Sequence, residues 1–181
     1  MLHSCIVYDR RDEYYLCAAA FLKAGVERGD RCIFATDSPA DAALRLAEFG
    51  LGVRALTQSG SLLIVDARDV YLPNRRFSVE AALGWWCDHL EEAMDEGRPG
   101  LCGVGDLSCI IAAGEIADRV VPYELEIDRL GDLPISALCC YPRSRFRDAT
   151  LRRALSAHPT VHVDGSFRKN GSYLPQSPSK G

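Results

Sequence analysis

The chain has 181 residues, of which 48% are hydrophobic and 25% charged, with a formal net charge of −4. That length suits one domain able to bury roughly 70% of the surface its unfolded form exposes, so neither a metal nor a disulfide is needed for stability. The negative balance leaves no electrostatic case for direct nucleic-acid binding, and the basic cluster from Arg143 to Arg153 reads as a solvated helix face. No apolar run approaches the ~18 residues of a membrane-spanning helix, and no basic stretch followed by an apolar signal core opens the chain. A cytoplasmic protein without membrane contact is the expectation.

His3 to Tyr8 reads as a buried strand. Asp12 to Glu27 reads as a helix, because Leu16, Ala19, Ala20 and the apolar positions from Leu22 to Val26 recur at helical spacing. Gly29-Asp30 ends that helix, and Arg31 to Ala35 follows as a second strand. Ser38-Pro39 supplies an N-cap and a first-turn proline for a helix that runs to about Phe49 and stops at Gly50. The apolar run Ser61 to Asp66, preceded by the short segment Val53 to Leu56, is the next strand. Ser78 caps a long helix reaching Glu96, on which Leu83, Trp86, Leu90 and Met94 are spaced along one face. Leu101 to Asp106 is a strand, and Ile116 to Leu130 a helix that Pro122 either kinks or starts afresh. Pro134 to Tyr141 is a late strand, Arg147 to Ala157 a helix and Thr160 to Val163 a final short strand. This alternation predicts an α/β domain over residues 1–165. The polar, Pro- and Ser-rich residues 166–181 are expected to form a disordered tail or linker. No internal repeat is visible.

In open α/β sheets ligands bind at the carboxyl ends of the parallel strands, where loops and helix N-termini converge. Those ends here offer Tyr8-Asp9, Thr36-Asp37, Asp66, Gly105-Asp106 and Tyr141, a rim of acidic and aromatic side chains. A phosphate site needs the reverse, a glycine-rich loop of free N–H groups followed by a lysine. The connection after the first strand is Asp9-Arg-Arg-Asp-Glu-Tyr-Tyr15, which has neither.

From Cys5 to Asp66 the chain resembles the opening of RecA/KaiC-type ATPases: a strand, a loop, FLKAGVERGDRCIFATDSP, a helix ending in EFGLG, then SGSLLIVDA. Counting back from Phe21-Leu22, the resemblance puts the family's phosphate-loop lysine near Tyr14, its hydroxyl residue near Tyr15 and a loop glycine near Glu13. It implies a three-layer, mainly parallel sheet with helices on both faces and no functional Walker A loop. Asp106 then lies where such folds place a magnesium-orienting acid.

A second resemblance spans nearly the whole chain to Gly165. HSCIVY, FLKAGVERGDRCIF, SGSLLIVDARDVYLPNRRF, GLCGVGDLS, VPYELEIDRL, CCYPRSRF and AHPTVHVDG occur in the order and spacing of the MEDS domain, a sensory domain named for methanogens, methylotrophs and a dichloromethane-responsive repressor. That resemblance implies a non-catalytic module that binds small hydrocarbon derivatives and works beside kinase-like or transcription-control modules. The chain departs from the family pattern in three places. Cys102-Gly103 replaces a usual arginine, Cys109 replaces an aromatic, and Pro142 follows the CxY motif. These departures imply a smaller, more thiol-lined or differently tuned pocket.

Several residues admit two readings. Tyr123-Glu124, which matches the family's YE motif, either lines a ligand pocket or is an aromatic packed under the sheet beside a solvated acid. His3 reads as a structural hydrogen-bonding residue at the amino end of its strand, and His158-Pro159 as a cap or turn before the last strand. Trp85-Trp86 reads as core plus a rim aromatic. The eight cysteines lack zinc-type pairing and mostly sit in apolar segments, so most read as reduced core residues. Cys102, Cys109, Cys139 and Cys140 keep open a thiol-based redox or soft-metal sensor. A degenerate nucleotide-binding protein, or a hydrolase using Asp106 and Glu124 as acid and base, is the enzymatic alternative.

The leading expectation is a cofactor-free, metal-free sensory domain without catalytic residues. Its small-molecule site would draw on Tyr8, Asp106, Cys109, Tyr123, Glu124 and Tyr141, between the strand ends and the covering helices. The signal would pass to a regulatory protein partner, with a homodimer as a further option.

Overall fold

The computed structural model describes residues 2–112 and 119–175. In chain order the elements are β1 (Leu2–Tyr8), α1 (Arg11–Arg28), β2 (Arg31–Thr36), α2 (Pro39–Glu48), α3 (Val53–Gln58), β3 (Leu62–Asp66), α4 (Ala67–Tyr71), α5 (Val79–Asp95), β4 (Leu101–Asp106), α6 (Ser108–Ala112), α7 (Val120–Arg129), β5 (Ile135–Pro142), α8 (Asp148–Ser156), β6 (Thr160–Val163) and β7 (Ser166–Lys169). The strands form one seven-stranded sheet in the order β3-β2-β4-β5-β1-β6-β7, parallel except for the β6–β7 pair. Among the described residues no helix is long and apolar enough to cross a membrane.

Strand alternation sends successive side chains to opposite faces of the sheet, and the two faces have separate cores. Ile6, Tyr8, Cys102, Val104, Leu138 and Cys140 pack against α1 and α2. Cys5, Cys139 and Tyr141 pack on the other face, under α4, α5, α7 and α8. The result is the expected three-layer α/β sandwich. Every residue of the central strand β4 is buried, which explains why its sequence, LCGVGD, carries no polar/apolar alternation.

Local signals account for most boundaries. Ser78 Oγ accepts the Ala81 N–H (3.2 Å) at the start of α5. Pro39 opens α2, although the Ser38 side chain makes no cap bond. Pro122 stands in the first turn of α7, where its missing N–H costs nothing. The expected helix start at Ile116 falls on residues 113–118, outside the described segments.

Two expectations differ from the structure. Met94 is 53% exposed, and the buried face of α5 is carried by Ala82, Trp86, Leu90 and Ala93. The packed stripe of α5 therefore rotates away from Met94 in its last turn. More consequentially, the chain beyond Gly165 continues as structure. Asp164 (φ 50°) and Gly165 (φ 77°) form a two-residue turn with both residues in the left-handed region, and β7 folds back antiparallel on β6. The following residues dock as well: Asn170 N–H donates to Pro159 O and Leu174 N–H to Ser156 O, each at 2.9 Å.

Candidate functional site

On the α1 face, the carboxyl ends of β1 and β4 are filled by aromatic side chains. Tyr8 closes β1 and Tyr14 lies in the opening turns of α1; their rings stack with centroids 4.8 Å apart and an interplanar angle of 14°. Tyr14 Oη donates to Thr36 Oγ1 (3.4 Å), while Tyr15 Oη donates to Asp41 Oδ2 (3.0 Å). Asp106, 2% exposed at the end of β4, accepts the Ser108 N–H at 2.9 Å. Burial pushes its carboxyl up to about 6 even though that N–H favours the charged form. The segment that would hold phosphates in an ATPase is thus a packed tyrosine cluster beside a desolvated acid.

The opposite face holds a partly open cavity of about 30 Å³, lined by Tyr71, Trp86, Gly103, Gly105, Tyr123 and Cys139, with Leu83, Ile127, Ile135 and Ala137 among the aliphatic walls. Its floor depends on two glycines of β4. A Cβ on Gly105 would lie 2.0 Å from Tyr71 Oη, and one on Gly103 would lie 2.8 Å from the Trp86 ring. Trp86 Nε1 is buried without a hydrogen-bond partner, although it is near enough to the Tyr123 hydroxyl to favour that group's ionised form. The cavity is therefore apolar with a small number of polar groups at its wall.

Next to the cavity, and sharing Cys139 with it, lies a buried polar cluster centred on Glu124 of α7. Glu124 is 0% exposed. Tyr141 of β5 donates its hydroxyl to Glu124 Oε1 in a short hydrogen bond. Three atoms converge on the other carboxylate oxygen, Oε2: His3 Nε2 at 3.1 Å, His158 Nε2 at 3.1 Å and Cys139 Sγ at 3.2 Å. The sheet register explains the meeting, since His3 and Cys5 of β1 face the same side as Ala137 and Cys139 of β5, with Cys5 paired to Cys139. His158 follows α8 and its Nδ1 lies 2.7 Å from Ala154 O, so this nitrogen donates to the helix-end carbonyl. Beyond His3, Asp128 Oδ1 is 3.7 Å from Nδ1, and Tyr173 Oη donates to Asp128 Oδ2 at 2.8 Å.

The electrostatics of this cluster oppose those at Asp106. Burial alone would raise the Glu124 carboxyl, but the His158 and His3 rings outweigh it and hold the group well below the usual carboxylate range. His158 is correspondingly raised to about 9, because Cys5 and Glu124 together overcome the burial that opposes a charged ring. Burial also raises the thiols: Cys17 and Cys109 to about 12, and Cys139 and Cys140 well above the ordinary value. All eight cysteines are unpaired.

The six residues singled out from sequence divide between the two faces. Tyr8 and Asp106 belong to the α1 side, whereas Cys109, Tyr123, Glu124 and Tyr141 belong to the other, where Tyr123 lines the cavity and Glu124 bonds Tyr141. A single pocket joining all six is therefore not what the fold builds, because the sheet lies between them. The reading of Glu124 as a solvated acid is likewise replaced by full burial. The sequence reading missed the convergence of His3, Cys139 and His158. Period-two alternation along HSC and LCCY puts His3 and Cys139 on one face, but their meeting with Glu124 depends on α7 and α8 packing.

Comparison with known proteins agrees with this architecture. A search of curated protein sequences gives no match. Among solved structures, the flagellar accessory protein FlaH from Methanocaldococcus jannaschii superposes with a TM-score of 0.57 at 12% identity, covering 92% of this chain and 76% of that one. At that identity the likeness concerns the fold, which is RecA-like. The sequence profile described as MEDS, "MEthanogen/methylotroph, DcmR Sensory domain", matches residues 2–159. With seven-eighths of the chain so matched, this protein belongs to the MEDS family of sensory domains.

Proposed function

We propose that the chain is a non-catalytic sensor of a very small, mainly apolar molecule, and that the cavity under α5 and α7 receives it. The observation that carries this reading is the glycine-floored cavity itself. It is walled by aliphatic side chains, with two tyrosine hydroxyls and the unpartnered Trp86 N–H as its polar groups. A volume of about 30 Å³ accommodates roughly two water-sized atoms, so the ligand class is a one- or two-carbon compound bearing one or two small polar or halogen substituents. The MEDS membership supports a sensory role, and the chemistry of the lining narrows the ligand.

Binding would favour one arrangement of α5 and α7 over another, and the signal would pass through them to a regulatory protein partner, either a kinase-like or a transcription-control module. Catalysis has less support. Asp106 and Glu124 face opposite sides of the sheet, so they cannot share a substrate as acid and base. The tyrosine cluster at α1 leaves a nucleotide phosphate facing buried rings and a carboxylate. A thiol sensor for oxidants is disfavoured too, because burial holds the thiols protonated.

The test is thermal unfolding in the presence of methanol, formaldehyde, dichloromethane and Mg-ATP. At about 100 Kd a cavity ligand should raise Tm by roughly 5–10 °C. Mg-ATP should not, and Ala137→Val, at a residue that lines the cavity, should abolish the shift while leaving the circular dichroism spectrum unchanged. A shift with Mg-ATP alone, or an equal organic-ligand shift in the variant, overturns the proposal.

A further inference from the structure

The Glu124 cluster has features that a hydrogen-bond network alone does not require. His3 Nε2, His158 Nε2, Cys139 Sγ and a Glu124 oxygen all lie within 4.8 Å of one another, and all four residues are buried. Tetrahedral coordination with metal–nitrogen and metal–oxygen bonds near 2.0–2.2 Å and metal–sulfur bonds near 2.3 Å spaces the donor atoms about 3.3–3.6 Å apart. The observed separations, 3.1, 3.1 and 3.2 Å to the carboxylate and 3.8 Å between His3 Nε2 and Cys139 Sγ, bracket that range. The two remaining pairs, His158 Nε2 with His3 Nε2 and with Cys139 Sγ, fall within the same 4.8 Å.

A second observation concerns protons. His158 Nδ1 donates to Ala154 O, so the hydrogen of a neutral ring sits there and the Nε2 lone pair is directed into the cluster. That Nε2 is fully buried and has no hydrogen-bond partner, although it is 3.1 Å from Glu124 Oε2. With its Nδ1–H committed to Ala154 O, that nitrogen faces Glu124 Oε2 through either a second ring proton or a bound cation, and a metal ion would take the proton's place. The outer contacts match the way protein metal ligands are held. His158 is anchored by a backbone carbonyl, His3 Nδ1 faces the Asp128 carboxylate, and Tyr141 fixes the second Glu124 oxygen. Charge also balances, since a thiolate and a carboxylate neutralise one divalent ion between two neutral imidazoles, which a buried site needs.

We propose that His3, Glu124, Cys139 and His158 form a binding site for one divalent transition-metal ion. The two imidazoles and one thiolate select zinc, cobalt or ferrous iron over magnesium or calcium, whose preference is for oxygen donors. Binding releases the Cys139 proton and any proton on His158 Nε2, and that sulfur and nitrogen then bond the ion directly. Because Cys139 also lines the neighbouring cavity, the ion would sit beside the small-molecule site without belonging to it. The two proposals stand or fall separately, since the organic-ligand shift requires no metal.

The experiment refolds the full chain with cobalt(II), removes unbound ion and reads stoichiometry and the absorption spectrum. The expected result is one cobalt per chain, visible ligand-field bands of a tetrahedral ion and a near-ultraviolet sulfur-to-cobalt charge-transfer band, all displaced by zinc. Cys139→Ala should lose the charge-transfer band, Cys87→Ala should keep it, and His158→Gln should reduce cobalt retention at least tenfold. Should Cys139→Ala or His158→Gln fail to fold, the wild-type spectrum still decides. Wild-type protein retaining less than a tenth of an equivalent, or cobalt bound without a sulfur band, overturns the proposal. So does a charge-transfer band that persists in folded Cys139→Ala.

Discussion

Asp106 and Glu124 are both carboxylates buried against the same sheet, one on each face, and they respond to burial in opposite ways. Asp106 has a backbone N–H and tyrosine neighbours, and its carboxyl rises to about 6. Glu124 has Tyr141, Cys139 and two histidines around it, and it falls well below the usual range. Burial penalises the charged form in both cases, and only the supply of donors and opposite charge decides whether that penalty is overcome. The strand-end acid that the RecA-like frame places in the customary ligand position is the poorly supported one. The organised polar centre lies on the other side of the sheet.

The sharpest way to break this comparison is to remove the charge that Glu124 contributes. Glu124→Gln keeps the shape but leaves the histidines without a counter-charge, and losing one member of a buried ionic network should cost about 3–5 kcal/mol. Urea unfolding at pH 7 in the presence of a chelator measures it free of any metal contribution. A loss below about 1 kcal/mol would show that the network is not what holds α7 to the sheet.

Asp106→Asn should act in the opposite direction. With a native pKa of about 6 and an unfolded value near 3.8, the folded state binds the proton more tightly. Its contribution is fully present below about pH 4 and is lost as the pH rises through 6. An asparagine removes that loss while its Oδ1 can still accept the Ser108 N–H. The variant should therefore be more stable than wild type by about 1–3 kcal/mol at pH 8, with the gain disappearing towards pH 4. A pH-independent difference would show that desolvated charge is not the cause.

How far the sequence anticipates this contrast depends on how local each signal is. The α/β sandwich follows from apolar periodicity and turn residues, and the missing phosphate loop follows from Asp9 to Tyr15 alone. Strand alternation was equally available. Applied to Leu101–Asp106 and Ile135–Pro142, it separates Asp106 from Tyr141 and would have divided the expected pocket in two. The Glu124 cluster was not legible in the same way, because its members come from β1, α7, β5 and the end of α8, separated by up to 155 residues and joined only by helix packing. The β6–β7 hairpin carries a local signal that competes with composition. Asp164-Gly165 after Thr160 to Val163 is a two-residue hairpin turn signal, whereas the polar composition beyond it suggested a linker.

The segment after β7 offers the smallest effect and the most specific test of how far the Glu124 network extends. Tyr173 donates to Asp128 Oδ2 at 2.8 Å, and the other oxygen of Asp128 faces His3 Nδ1 at 3.7 Å, so the tail after β7 touches the outer edge of the cluster. The Asp128 carboxyl lies below its usual range chiefly through His3, with Tyr173 adding to the effect against partial burial. Tyr173→Phe keeps the ring and removes only the hydroxyl. Because Asp128 is half-buried and water can replace the donor, the loss should be about 0.5–1.5 kcal/mol, or roughly 1–6 °C in Tm. Serine in place of Leu174, whose side chain is 64% exposed, should change Tm far less, since its docking contact is the main-chain N–H. If the tail were a linker, Tyr173→Phe would be silent. A measurable loss in it, absent in Glu124→Gln/Tyr173→Phe relative to Glu124→Gln, would show that the hydroxyl acts through the cluster rather than through the tail's own packing.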